Sequence, residues 1–404
     1  MLDGTEFDVD ARWQALDRWL VALQPLWRPV PFTTPTPPWA GQWPEFERWL
    51  DALDDGEVAH YEHDPDRFAQ QAAAWLPQLG RRRGLIAVPA LSGPDSTLAE
   101  ALARDMPGRK RLQAGAMAAA LRPFSPAVVD WCCGKGHLAR TLAAAGAGSV
   151  YGLEWDAALV NEGNRLARDS GAAVTLRRQD VLAPALVWPG ADQGVALHAC
   201  GDLHRQLLTT GVGCGVSRLS VVPCCYHRTA AAEHMPMSRR VNAAHGRCRL
   251  SRDDLRLVVQ ETVTAPGRER RQRHRLSAWR LGFDGLQRTL RGRDEYLPIP
   301  SHPTRLNQGD FAGFCRWAAQ CKGLELPPQP DFAYWEQHGR SRHARVRRLE
   351  LVRHLFRRPL ELWLVLDYAL YLQEQGFAVR LGTFCERALT PRNLLLDAHR
   401  QGLR

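Results

Sequence analysis

The sequence predicts an α/β fold built on an open, doubly wound sheet. Three observations predict this class of fold. A β-branched run ends in Asp130 and leads through a glycine turn into a helical sequence, a second short strand ends in Glu154, and a third is followed by Asp180. Because ligands bind at the carboxyl edge of such sheets, we expect a nucleotide-sized site where these three acids lie.

The first strand and its turn lie in residues 128–140, VVDWCCGKGHLAR. The turn glycines have no Cβ, and the amides at the start of the following helix point outward, so a ligand can approach the backbone closely. We predict that this segment binds the nucleotide-sized ligand through Asp130, Cys132, Gly134, Lys135 and Gly136.

The second and third strands are predicted in residues 149–154 and 174–180. Glu154 lies where a carboxylate accepts hydrogen bonds from both hydroxyls of a ribose, and Asp180 is placed to accept from an adenine amine. Together the glycine turn and the three acids resemble the cofactor motifs of class I S-adenosylmethionine-dependent methyltransferases. The resemblance implies S-adenosyl-L-methionine as cofactor and a Rossmann-like, seven-stranded mixed sheet whose last strand is antiparallel.

The fourth and fifth strands, residues 194–203 and 219–227, concentrate their polar residues at their carboxyl ends. We predict that catalytic groups come from these two tips. Asp202, His198 and His227 are candidate bases, since a histidine of pKa about 6.5 accepts a proton near neutral pH, and Tyr226 is placed to orient the acceptor. Two alternatives stay open: Asp202 caps the next helix, and His198 is a hydrogen-bonded structural residue. His198 is also predicted to bind the cofactor.

Cysteines raise a separate hypothesis at the same edge. A sheet wound in this way gathers several cysteines with His198 and His227 around one cavity, and thiolates with imidazoles suit Zn²⁺. The cysteines concerned are Cys132, Cys133, Cys200, Cys224 and Cys225. Adjacent cysteine pairs lack the usual two-residue spacing of zinc ligands, and buried cysteine often behaves as a small hydrophobe. The sequence therefore predicts no metal site.

Five segments carry a more specific resemblance: residues 130–138, 198–203, 223–227, 235–238 and 390–394. They are similar to the eukaryotic methyltransferase-like family sometimes labelled rRNA adenine dimethylase domain-containing, and to its bacterial relatives. Residues 366–368 and 371–375 match further segments of that family. A more distant similarity, confined to the glycine turn and the Cys-Cys-x-His segment, links the chain to tRNA ribose 2′-O-methyltransferases. The resemblance covers roughly residues 106–400.

Two departures from the usual motifs matter. Cys132 replaces the first glycine of the cofactor turn and narrows the space beside the methionine part of the ligand. The Asp/Asn-Pro-Pro-Tyr signature of amino-methylating enzymes is absent after the fourth strand, where residues 198–202 stand instead. Adenine or amide N-methylation through that signature is therefore not expected.

Composition bounds the remaining possibilities. The 404 residues are 45% hydrophobic, enough for a large core, and the ten cysteines are expected as thiols. The start of the chain lacks the pattern of a secretory signal, and no apolar run is long enough to span a bilayer, so we expect a cytoplasmic protein with no membrane partner.

The charge is uneven along the chain. The net charge of +10 combines an acidic first hundred residues with a basic second half, and arginines are densest in residues 239–293. This asymmetry favours an RNA partner, contacted through that stretch. The alternatives are a solvated helix face with intrahelical ion pairs, or a bias of composition, because only three lysines occur.

We predict three regions: a helical N-terminal region in residues 1–105, a methyltransferase domain formed by 106–230 and 359–404, and a basic helical insertion in 231–358 that recognises the substrate. The expected function is S-adenosylmethionine-dependent, in-line methyl transfer to tRNA or rRNA. The alternatives are a methyltransferase of a small molecule or protein, and an inactive, cofactor-binding interaction module.

Overall fold

A computed structural model describes residues 8–261, 267–301, 303 and 309–402. The helices in the described residues are, in chain order, α1 Val9–Ala22, α2 Gln24–Trp27, α3 Pro44–Ala52, α4 Asp55–His63, α5 Pro65–Ala72, α6 Arg82–Leu85, α7 Gly108–Leu121, α8 His137–Ala144, α9 Ala157–Asp169, α10 Asp202–Gly213, α11 Arg239–Ala243, α12 Arg252–Val259, α13 Gly267–Arg291, α14 Phe311–Lys322, α15 Phe332–His354 and α16 Arg357–Glu374. The strands are β1 Ala127–Trp131, β2 Ser149–Glu154, β3 Val174–Arg178, β4 Gln193–Cys200, β5 Arg218–Cys224, β6 Phe377–Thr383 and β7 Leu394–Arg400.

The seven strands form one sheet in the order β3-β2-β1-β4-β5-β7-β6. The first five strands in this order, from β3 to β5, pair in parallel, whereas β7 is antiparallel to both β5 and β6. This is the Rossmann-like, seven-stranded mixed sheet of class I methyltransferases, as predicted. The last described strand completes the sheet, so the residues between β5 and β6 form an insertion within it.

The described residues divide into two compact units. The first, called here the sheet unit, comprises Met1–Val21, Gly84–Thr264 and Arg357–Arg404. The second, called here the helical unit, comprises Ala22–Arg83 and Ala265–Phe356.

These units do not follow the predicted region boundaries. In the sheet unit, α1 packs on α16: the rings of Trp13 and Trp363 lie 5.9 Å apart, and Asp17 accepts a hydrogen bond from Trp363 Nε1 at 2.8 Å. In the helical unit, Arg347 of α15 pairs with Glu62 of α4. The first helix, α1, therefore belongs to the sheet unit. Helix α4 belongs to the helical unit, together with α15 from the region predicted as an insertion.

The core of the sheet unit follows from its sequence. The strand residues Val128, Val129 and Val195 are fully buried, as short parallel strands covered on both faces must be. The apolar helix α16 is buried along nearly its whole length. None of the helices in the described part of the chain is long and apolar enough to cross a membrane.

Candidate active site

The glycine turn follows β1 at the carboxyl edge of the sheet. Gly134 and Gly136 have φ angles of 57° and 68°, and Gly136 is the N-cap of α8. A Cβ added to Gly134 would meet no atom within 4 Å, so the backbone there borders open space. The turn thus presents exposed backbone beside a helix N-terminus, which favours a polar or anionic ligand group.

Glu154 closes β2 next to this turn and is only 6% exposed. Its Oε2 accepts a hydrogen bond from the Gly134 amide at 3.0 Å, and its Oε1 accepts from the Asp156 amide at 3.1 Å. Each carboxylate oxygen has a second acceptor site. Glu154 can therefore hold the turn in place and also bind both hydroxyls of a ribose.

Asp130 is buried beneath the turn, and its Oδ2 accepts a hydrogen bond from the Ala139 amide of α8 at 3.0 Å. Its pKa is raised to about 7, chiefly by burial and in addition by the negative charge of Glu154, while the hydrogen bond from Ala139 acts in the opposite direction. Asp130 therefore braces the start of α8 against the tip of β1.

The other predicted cofactor residues of this edge differ in what they bond. Lys135 pairs with Asp105, and this hydrogen bond raises the pKa of the lysine. Asp180 is exposed after β3, and its Oδ1 accepts from the Leu182 amide at 2.9 Å. Asp180 stays available to an adenine, whereas Lys135 is engaged by a carboxylate.

Three residues with side chains adopt left-handed backbone at the ends of β1, β4 and β5. They are Cys132, His198 and Cys225, with φ angles of 58°, 63° and 46°. Such angles are uncommon outside glycine, and strained backbone of this kind clusters at functional sites. Their position marks the carboxyl edge of the sheet as the candidate active site.

His198 is half-buried and fixed by α7. Its Nε2 lies 3.2 Å from Gln113 Oε1, and Gln113 donates through Nε2 to the Leu389 carbonyl at 3.0 Å. Because the amide oxygen can only accept, His198 carries its proton on Nε2 and presents Nδ1 as an acceptor. Burial lowers its pKa to about 4, so His198 is neutral at neutral pH.

Gln113 was not predicted. The signal for it in the sequence is a single amide within the apolar stretch of residues 112–121, where a polar side chain needs a partner.

Asp202 is the first residue of α10, but its side chain does not cap that helix. Its Oδ2 accepts a hydrogen bond from the Ala230 amide at 2.8 Å, which ties the loop after β5 to the tip of β4. The N-cap is Gly201, where an added Cβ would lie 1.8 Å from the Arg228 carbonyl oxygen. The proposed capping role of Asp202 is therefore replaced by a link between two loops.

Tyr226 and His227 follow β5 and differ in environment. Tyr226 is 4% exposed, its hydroxyl donates to the Pro223 carbonyl at 3.4 Å, and burial raises its pKa well above the ordinary value. That hydroxyl bonds to its own strand, which does not favour the predicted orienting role. His227 Nδ1 is buried and has no hydrogen-bond partner in the described part of the chain.

A cavity of about 260 Å³ lies beside these tips, lined in part by Asp202, Tyr226, His204, His234 and Tyr368. His204 and Tyr368 were not among the predicted site residues. The Ala199 carbonyl, 3.1 Å from His204 Nδ1, fixes the proton there, so His204 Nε2 accepts from the Tyr368 hydroxyl at 3.1 Å. Burial lowers the pKa of His204 to about 4.

The family-like segments 235–238, 366–368 and 371–375 meet in space. Asp367 accepts hydrogen bonds from the Met237 and Ser238 amides, both at 2.9 Å. Glu374 accepts from the Ser238 hydroxyl and from the amides of Arg239 and Arg240. Two carboxylates of α16 therefore hold the loop that leads from the cavity into α11.

Three of the cysteines are gathered at the tips of β4 and β5. Cys200, Cys224 and Cys225 have sulfur atoms within 4.8 Å of one another. The hydrogen bonds from Cys200 and then Cys224 lower the pKa of the Cys225 thiol. Burial raises the pKa values of Cys132 and Cys133 instead, and the Cys133 thiol lies against the Gly134 carbonyl.

Comparison with known proteins gives the class of the domain. Residues 116–232, which include β1 to β5, match a family model described as a methyltransferase domain. The chain contains a methyltransferase domain. On this match and the sheet described above, the domain is that of an S-adenosylmethionine-dependent methyltransferase.

Three solved structures are similar to parts of the chain. TrmN from Thermus thermophilus is 17% identical, with 31% of this chain and 42% of that chain covered and a TM-score of 0.26. The putative RNA methyltransferase PH1948 from Pyrococcus horikoshii is 15% identical over 35% of this chain and 72% of that one, with a TM-score of 0.25. Geranyl diphosphate C-methyltransferase from Streptomyces coelicolor A3(2) is 20% identical over 40% and 63%, also with a TM-score of 0.25. The chain thus spans less than two thirds of the first and third of these structures.

The residues at the sheet edge fit S-adenosyl-L-methionine. Glu154 has spare acceptor sites for a ribose, Gly134 borders open space, and Asp180 is exposed one strand further along. These are the residues that would hold the nucleoside part of the cofactor.

Proposed function

We propose that the protein transfers a methyl group from S-adenosylmethionine to RNA, either tRNA or rRNA. The proposal is supported by a match to a methyltransferase domain, by the buried acid Glu154 at the end of β2, and by an exposed arginine-rich helix face in the same chain.

Bound S-adenosylmethionine supplies an electrophilic methyl group on its sulfonium. The protein's task is to hold the donor and the acceptor in line and to remove a proton where the acceptor needs it. Glu154 and Asp180 bind the nucleoside, and the backbone at Gly134 accommodates its approach. His198 offers a hydrogen-bond acceptor at Nδ1, and His227 is the candidate base because its Nδ1 is unpaired among the described residues.

The RNA proposal rests on the first half of α13, residues 268–275, called here the arginine face. It contains five arginines and one acidic residue, Glu269, and Arg268, Arg271 and Arg273 are exposed. The ion pair of this stretch, Arg273 to Glu269, is long at 3.8 Å. Most of the positive charge is therefore directed at solvent, where phosphates would release counterions on binding.

Other arginines of the predicted 239–293 stretch have structural partners. Arg288 pairs with Asp284 at 2.9 Å, Arg280 donates to two backbone carbonyls, and Arg252 donates to the carbonyls of Ala230 and Ala231. We place the proposed RNA contact at the arginine face, because Arg268, Arg271 and Arg273 are exposed and lie close together in sequence.

The test is transfer of radiolabelled methyl groups from S-adenosylmethionine into three separated fractions of a cell extract: RNA, protein and small molecules. We expect label in RNA, and none with Glu154→Ala. Label confined to protein or small molecules would overturn the RNA substrate, and no label in any fraction would favour the inactive interaction module.

A second arm tests the arginine face. The triple variant Arg268→Glu, Arg271→Glu, Arg273→Glu should lose most RNA binding and much of its dependence on salt concentration, because three phosphate contacts are removed. Its matched control reverses three exposed arginines outside residues 239–293: Arg48, Arg67 and Arg81. Equal RNA binding by the triple variant and the control would contradict the proposed contact.

A further inference from the structure

We propose that Cys200, Cys224 and Cys225, called here the thiol cluster, bind one Zn²⁺ ion through their sulfur atoms. The site lies at the tips of β4 and β5, and it goes beyond the proposed methyl transfer.

The spacing of the sulfur atoms fits zinc. Cys200 and Cys224 are paired neighbours on β4 and β5, with their sulfur atoms 3.7 Å apart. Thiolates about 2.3 Å from a tetrahedral zinc ion lie about 3.8 Å from one another. All three sulfur atoms lie within 4.8 Å, so closing the set around a metal requires a movement of about 1 Å.

Strained backbone explains how adjacent cysteines share one site. Successive side chains of an extended strand point to opposite faces, so Cys224 and Cys225 could not act together in a regular strand. Cys225 has a φ of 46°, which breaks the alternation. On β4, the pairing register shifts between Leu197 and Cys200, where His198 has a φ of 63°. The ends of two strands thus bring the sulfur atoms together, as two-residue spacing of cysteines does in a single loop.

The state of the thiols also suits a metal. All three are free cysteines; Cys224 is buried, and Cys200 and Cys225 are half-buried. A purely hydrophobic role does not require three sulfur atoms in mutual contact at the edge of a polar site. Zinc would displace the thiol protons and make three metal–sulfur bonds, with no change of oxidation state.

The fourth position of the ion is left to a water molecule. The ligand atoms that lie within 4.8 Å of one another are the three sulfur atoms, and His227 lies outside this set. Zinc is almost always four-coordinate, so three thiolates and one water complete it. The ion would fix the tips of β4 and β5 beside the active site and leave Nδ1 of His227 to its proposed role as base.

The test measures zinc and cobalt binding by the full chain, purified with chelator and a thiol reductant. We expect one Zn²⁺ per chain by mass spectrometry of metals, and a Co²⁺ complex with a thiolate charge-transfer band in the near ultraviolet. Cys225→Ser should bind Zn²⁺ at least about a hundredfold more weakly. The matched control is Cys214→Ser, an exposed cysteine outside the cluster.

A second measurement needs no substitution and so covers a variant that fails to fold. The wild-type chain is alkylated with and without Zn²⁺, and the modified cysteines are mapped by peptide mass spectrometry. We expect Zn²⁺ to protect Cys200, Cys224 and Cys225 and to leave Cys214 and Cys321 reactive. Equal alkylation of the cluster in both conditions, or equal Zn²⁺ affinity of Cys225→Ser and Cys214→Ser, would overturn the proposal.

Discussion

Replacing Asp130 by asparagine should change how the stability of the protein depends on pH. Asp130 is 2% exposed, and burial raises its pKa from the ordinary 3.8 to about 7. A carboxyl with a raised pKa contributes stability that is fully present below pH 3.8 and is lost as the pH rises through 7. A shift of this size corresponds to roughly 4 kcal/mol, because one pKa unit is about 1.4 kcal/mol.

An asparagine at this position would keep the acceptor for the Ala139 amide and would not titrate. The free energy of unfolding of Asp130→Asn, relative to wild type, should therefore rise between pH 4 and pH 8, by up to about 4 kcal/mol. The assay is urea unfolding of both proteins across that range. If the difference in the free energy of unfolding between the two proteins does not change with pH, Asp130 does not have a raised pKa in the folded protein.

Three further predictions concern Gly201 at the N-cap of α10, His204 in α10 and Asp367 in α16. Gly201→Ala should destabilise the protein by several kcal/mol, because its Cβ would lie 1.8 Å from the Arg228 carbonyl oxygen, whereas Gly213→Ala in α10 meets no atom within 4 Å and should be tolerated; thermal melting compares them. His204, with a pKa lowered to about 4, contributes stability that is present above pH 6.5 and lost as the pH falls to 4. Between these two pH values, the free energy of unfolding should therefore fall less in His204→Gln than in wild type. Asp367→Ala leaves two amides without acceptors and should cost about 2–6 kcal/mol, measured by urea unfolding.

Local sequence patterns were sufficient for the sheet. The strands that contain Asp130 and Glu154 are short, mostly buried runs followed by a turn. Such runs and turns can be recognised from neighbouring residues alone. The antiparallel order of the last two strands came from the resemblance to class I methyltransferases. The structure confirms both.

The compact units could not be read from the sequence because they depend on which helix faces pack together. The tryptophans of α1 predict an amphipathic helix, yet nothing local indicates that Trp13 packs on Trp363, some 350 residues later. Similarly, the ion pair from Arg347 to Glu62 joins two segments that are distant in the chain. Periodicity identifies an apolar face and not its partner.

The site was predictable to the level of strand tips, and not to the level of side-chain partners. Composition and order placed His198 at the right edge, but its orientation depends on Gln113 from a helix preceding the sheet. Spacing rules argued against a metal at Cys224 and Cys225, and the left-handed backbone at Cys225 removes the basis of that argument. Backbone conformation at a strained turn is a tertiary effect that local propensity does not report.

We propose that the sheet edge marked by Glu154 binds S-adenosylmethionine. The most direct measurement is calorimetric titration of the protein with S-adenosylmethionine and S-adenosylhomocysteine, for wild type, Glu154→Ala and the exposed control Glu100→Ala. We predict micromolar binding by wild type and control, and at least about a hundredfold weaker binding by Glu154→Ala in a folded protein, or about 2.7 kcal/mol. Equal affinity of all three proteins, or no binding by wild type, would contradict cofactor binding at Glu154.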